Sequence, residues 1–171
     1  MREIAEKYKN TRFNEIELKK MIMPYISNVL IIGEPKSNQD YKFFLDVLSC
    51  YKNYINSHVN FFFYSESYKD EILRKILRYY LLEEQITFVN VGDKEDELLY
   101  FLGSDVAMFL GNVKDEYVKL VNYFKLPILS TDKEQCLKND NYFYVSSEPS
   151  MVAAAIKVIC QNVEFTKRFI K

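Results

Sequence analysis

The stretch Ile86–Thr131, ITFVNVGDKEDELLYFLGSDVAMFLGNVKDEYVKLVNYFKLPILST, decides the fold. Three short apolar runs, Ile86–Val91, Val106–Leu110 and Pro127–Leu129, alternate with two amphipathic segments at helical spacing. Apolar runs too short for helices, separated by helix-period segments, predict parallel strands joined by crossover helices. Open parallel sheets bind ligands beyond the carboxyl ends of their strands. Function is therefore expected in the residues that follow each run: Asn90–Asp93, Gly111–Glu116 and Ser130–Lys133.

Working outward, the same alternation extends in both directions. Val29–Ile32 is a continuous apolar run closed by Gly33, as expected of a strand buried on both faces. After the loop EPKSNQ, Asp40–Ile55 reads as a helix with Phe43, Phe44, Val47, Leu48 and Tyr51 on one side. Val59–Tyr64 is a second strand, and Ser65-Glu66-Ser67 can cap a helix over Tyr68–Leu82. Asp93, Asp96 and Glu97 suit the first turn of a helix ending near Gly103, and Val113–Phe124 reads as the next helix. Pro127–Ser130 and Tyr142–Val145 are the fifth and sixth strands, with a short helical turn around Glu134–Leu137 between them. A helix from Ser150 to about Gln161 follows, and Asn162–Lys171 is expected to turn back as a final helix. Before all of this, residues 2–23 form a charged amphipathic segment that Pro24 ends. The expected architecture is α/β: a doubly wound, Rossmann-like parallel sheet of about six strands with helices on both faces, over residues 28–171, preceded by a helical leader at 1–27.

Bulk properties exclude several function classes. A chain of 171 residues can bury roughly 70% of its unfolded surface without disulfide help. Its net charge of −1 supplies no basic field for nucleic acid. Cys50, Cys136 and Cys160 are odd in number and far apart, with no CxxC pair and a single histidine, so no metal site is expected. No apolar stretch reaches the ~20 residues of a membrane-spanning helix, and MREIAEKYKN lacks a signal-peptide core. A soluble, cytoplasmic chain with reduced thiols and no cofactor is the expectation.

The order and spacing of these elements resemble the C-terminal, nucleotide-sugar-binding domain of GT-B glycosyltransferases, in particular the large retaining group 1 family. The resemblance rests on LIIGEPKSNQDYKFFLDVL for the first strand, glycine and helix, and on FFFYSES for the second strand. ITFVNVGDKEDELLYFLGSDVAMFL, KLPILSTD and SSEPSMVAAAIKVICQNVEFTKRF resemble the later strands and closing helices. It implies a nucleotide-sugar donor, with Gly33, Lys36, Asn112, Asp115 and Glu116 around it, and transfer of a hexose if the site is active. It also implies a separate acceptor-binding domain or subunit, because residues 1–27 are too few to build one. The chain is then a half working with a second subunit, a fragment, or a stand-alone module.

The departures from that family fall at functional places. An arginine and then a lysine, which neutralise the donor diphosphate, follow the family's first glycine; Glu34 and Gln39 stand at those positions here. The family's two donor-binding glutamates fall, counting back from Pro127, on Asn112 and Leu120. No catalytic residue is assigned on this basis, and a degenerate transferase half stands beside a non-catalytic interaction or regulatory module. Each candidate residue also has a plain structural reading. Gly33 can serve turn geometry, Lys36 can be a solvated loop lysine, and Asn112 can cap a helix whose first turn carries Asp115 and Glu116. His58 is expected at the strand end opposite the ligand edge, Cys50 and Cys160 in the core, and Cys136 in a loop.

Overall fold

A computed structural model describes residues 27–35, 37–55, 59–64, 71–89, 100–101, 103–111, 113–131 and 141–161. Six strands form one sheet: β1 (Ser27–Ile32), β2 (Val59–Tyr64), β3 (Ile86–Val89), β4 (Val106–Phe109), β5 (Ile128–Ser130) and β6 (Tyr142–Tyr144). Their spatial order is β3-β2-β1-β4-β5-β6 and every pairing is parallel. The chain winds outward from β1 through β2 to β3, then returns to the other side of β1 with β4. The strand order therefore reverses between β1 and β4, where open α/β sheets form their crevice.

Helices α1 (Asn38–Cys50), α2 (Glu71–Tyr79), α3 (Asp115–Tyr123) and α4 (Pro149–Gln161) cover the sheet. The period of two along a strand explains the uninterrupted apolar runs. Val29 and Ile31 of β1 join Phe44, Leu73, Leu77, Val152 and Ile156 in one core. Leu30 and Ile32, one residue out of phase, join Phe101, Tyr117 and Val121 in a second core on the opposite face. Aromatic rings interlock within both layers. Phe44 stacks on Phe63 with centroids 5.3 Å apart, and Tyr64 meets Tyr117 edge-on at 4.9 Å.

Several boundaries differ from the sequence expectation for identifiable reasons. Helix α1 starts at Asn38 because Ser37 and Asp40 form a reciprocal capping box. The Asp40 N–H donates to Ser37 Oγ at 3.2 Å, and the Ser37 N–H donates to Asp40 Oδ2 at 3.0 Å. The expected helix through Ile55 becomes a π-helical turn from Tyr51 onward. Helix α3 starts at Asp115 with Lys114 at its N-cap, and Asn112 lies outside the described residues. The helical leader, the turning-back segment 162–171, the Ser65–Ser67 cap and the turn at Glu134–Leu137 lie outside the described residues.

At the amino edge, polar side chains clamp β1 to β4. The Asn28 N–H donates to Asp105 Oδ2 at 2.9 Å while the Asp105 N–H donates to the Asn28 carbonyl at 2.8 Å. Asn28 Nδ2 also donates to the Gly103 carbonyl at 2.9 Å. Asp105→Ala strands a partly buried N–H, and is expected to cost about 1–3 kcal/mol in denaturant melts. A loss below about 0.3 kcal/mol would show that water replaces the carboxylate.

Candidate functional site

The crevice between β1 and β4 is built by the two loops that leave their carboxyl ends. Gly33 follows β1 with φ +133°, a backbone value open to glycine, and its N–H donates to the Tyr64 carbonyl at 3.4 Å. The chain continues through half-buried Glu34 and buried Pro35 to Ser37, where α1 begins. Across the crevice, the Leu110 N–H donates to the Ile32 carbonyl at 3.0 Å and holds the end of β4 level with β1. Gly111 then turns with φ +64°.

Gly111 is the residue where the two loops touch. A Cβ there would overlap the Glu34 carbonyl oxygen, and would lie 3.0 Å from the Glu34 carbonyl carbon and 3.1 Å from Pro35 Cα. Backbone thus meets backbone across the switch point, a contact that only glycine permits. Beyond it, Lys114, Asp115 and Glu116 open α3 in exposed positions, and Lys114 Nζ lies 5.9 Å from the centre of the Tyr117 ring. Lysine carries no acceptor, so the N-cap side chain makes no bond to the helix's first N–H groups.

Of the residues expected at the site, Gly33 lies in the loop after β1, and Asp115 and Glu116 form the first turn of α3, which follows the loop after β4. Lys36 and Asn112 lie outside the described residues, as do Asn90–Asp93, His58 and Cys136. Leu120 sits on α3 and packs against the second core, so that position offers apolar contact and no carboxylate. Sequence reading singled out Gly33 and missed the close approach at Gly111. Its signal is a glycine immediately after an apolar strand run, present in the sequence but indistinguishable from an ordinary turn glycine.

The charge around the mouth is mixed, with Glu34, Asp115 and Glu116 against Lys114 among the described residues. Among the described residues no cluster of three or more histidine, cysteine, aspartate or glutamate side chains could hold a metal ion. Burial pushes the Cys160 thiol up to about 12, partly offset by Ser27, and a carboxylate at Asp105 adds to the rise. That thiol remains protonated at neutral pH and is a poor nucleophile.

No protein-family model matches this chain, and no curated protein matches it in sequence. Solved structures do match in fold. A glycosyltransferase from Rickettsia africae superposes with a TM-score of 0.63 at 12% identity, covering 95% of this chain and 48% of that one. The UDP-GlcNAc 2-epimerase of Neisseria meningitidis, solved bound to UDP-GlcNAc, gives a TM-score of 0.62 at 13% identity, covering 98% and 45%. Anabaena HepE, solved with UDP and glucose, gives 0.60 at 10% identity, covering 94% and 49%. This chain therefore spans about half the length of these neighbours. At such identities the likeness is one of fold. No described helix is long and apolar enough to cross a membrane. The chain has a glycosyltransferase-like, GT-B-type Rossmann fold.

Proposed function

We propose that residues 28–171 correspond to the nucleotide-sugar-binding, C-terminal half of a retaining group 1 GT-B scaffold in which donor chemistry has degenerated, leaving a non-catalytic module. The observation that carries this reading is the backbone contact of Gly111 with Glu34 and Pro35 at the switch point. That contact fixes the Glu34 backbone beside the end of β4, and by the resemblance Glu34 stands where a donor diphosphate would need a cation. Like charges a few ångströms apart in a partly desolvated crevice repel by on the order of a few kcal/mol. Leu120, packed on the core, removes a second donor contact that the resemblance implies.

Calorimetric titration of the chain with UDP-, GDP- and ADP-sugars is the test. No binding tighter than about millimolar is expected, whereas micromolar affinity for any of them would overturn the degenerate reading. Glu34→Arg supplies the missing cation and is expected to tighten nucleoside diphosphate binding by about tenfold or more.

One observation favours a second reading, an active donor half working with a separate acceptor-binding domain or subunit. The amino end of α3, with Lys114 at the cap, presents a helix dipole that attracts anions. Micromolar binding to the wild-type chain would select this reading, and Gly33, Lys36, Asn112, Asp115 and Glu116 would then surround the donor.

A further inference from the structure

The largest exposed apolar side chains of the described residues include three in succession: Tyr79 at 82% exposure, Tyr80 at 54% and Leu81 at 74%. They project from the turn that ends α2, at the amino edge of the sheet and opposite the crevice. The turn has the hydrogen bonds of a Schellman motif: the Leu82 N–H donates to the Leu77 carbonyl at 2.8 Å and the Leu81 N–H to the Arg78 carbonyl at 3.0 Å. The residue just past the cap in that motif is left-handed and is usually glycine. Here it is Leu81, at φ +54°. The Lys125 turn after α3 has the same geometry, but places a charged side chain in water. At Leu81 the fold accepts a strained backbone and leaves the side chain exposed, with little intramolecular burial in return.

Cations surround the tip. Lys52 Nζ donates to the Leu81 carbonyl at 2.6 Å, which places an ammonium group directly at the turn. Lys75 and Arg78 are exposed on α2, and Arg74 lies with its guanidinium 4.3 Å over the Phe88 ring. Glu83 pairs with Arg78 at 2.8 Å, and among the described side chains Lys52, Arg74 and Lys75 add positive charge near the turn against Glu84, in a chain whose net charge is −1. Tyrosine and leucine at a convex tip, ringed by lysine and arginine, match the chemistry of an anionic lipid interface. A protein partner fits less well. Stable interfaces bury about 800 Å² per side, and three side chains offer roughly half of that.

We propose that the Tyr79–Leu81 tip docks this chain on an anionic bilayer surface, with the rings and Leu81 at headgroup depth and Lys52, Arg74, Lys75 and Arg78 against the lipid charge. Docked in this way, the sheet's amino edge faces the membrane and the β1–β4 crevice faces away from it. The contact is interfacial and independent of whether the crevice binds a nucleotide.

Cosedimentation of the full chain with phosphatidylcholine vesicles, with and without about 30 mol % phosphatidylglycerol, tests this. The chain is expected to bind the anionic vesicles, to bind neutral ones at least about tenfold less, and to be released by salt. Leu81→Gly relieves the left-handed strain, so it should fold with an unchanged or higher Tm while weakening vesicle binding about fivefold. Lys75→Glu alters only an exposed charge and is expected to weaken binding by about tenfold. Equal binding to neutral vesicles, or wild-type binding by both variants, would overturn the proposal. So would a dimer in light scattering that both variants dissociate, since the tip would then be a self-association surface.

Discussion

Phe63→Ala is expected to lower stability by about 3–5 kcal/mol, read as a fall in Tm of roughly 10 °C. Phe63, the fifth of the six residues of β2, has no exposed surface. Its ring stacks on Phe44 at 5.3 Å and meets Phe88 edge-on at 5.6 Å, so one truncation empties space shared by α1, β2 and β3. The loss combines removed apolar burial, a cavity that close-packed neighbours fill only in part, and two broken ring pairs. Phe63→Leu keeps most of the volume and should cost less than about 1.5 kcal/mol. Equal losses for the two variants would mean that strand pairing, not ring packing, holds this layer.

A matched pair of glycine substitutions is expected to separate by about 2–3 kcal/mol. Gly111→Ala forces an L side chain into a left-handed backbone at φ +64° and drives its Cβ into the Glu34 carbonyl. The loops after β1 and β4 must then move apart, and the Leu110 N–H that bonds Ile32 should exchange with deuterium faster. Gly103→Ala meets nothing within 4 Å at its new Cβ, and should stay within about 0.5 kcal/mol of wild type. Equal stability and exchange for both variants would show that the switch-point loops have room to spare.

The fold was legible because its strands announce themselves. Val29–Ile32, Val59–Tyr64 and Val106–Leu110 are apolar on both faces, and a strand with helices on each side demands that composition. Helix ends were less legible. They depend on single hydrogen bonds such as the Ser37–Asp40 box, and on which residue of Gly111–Lys114 takes the cap. Leu81 defeats sequence rules outright. A leucine before Leu82 reads as the apolar end of a helix, yet tertiary packing seats Leu82 in the core and turns Leu81 out through a left-handed residue.

For the candidate site, local sequence was enough to mark which loops leave the carboxyl ends of β1 and β4, because in a parallel sheet those loops follow the strands whatever their residues. That Gly111 lies against Glu34 and Pro35 was not readable, since those residues are far apart in the chain and meet only when β1 and β4 pair. The same holds for Lys52 at the Leu81 carbonyl. Side-chain periodicity encodes which face of an element is buried. Contacts between loops depend on strand order and register, which the whole chain decides together.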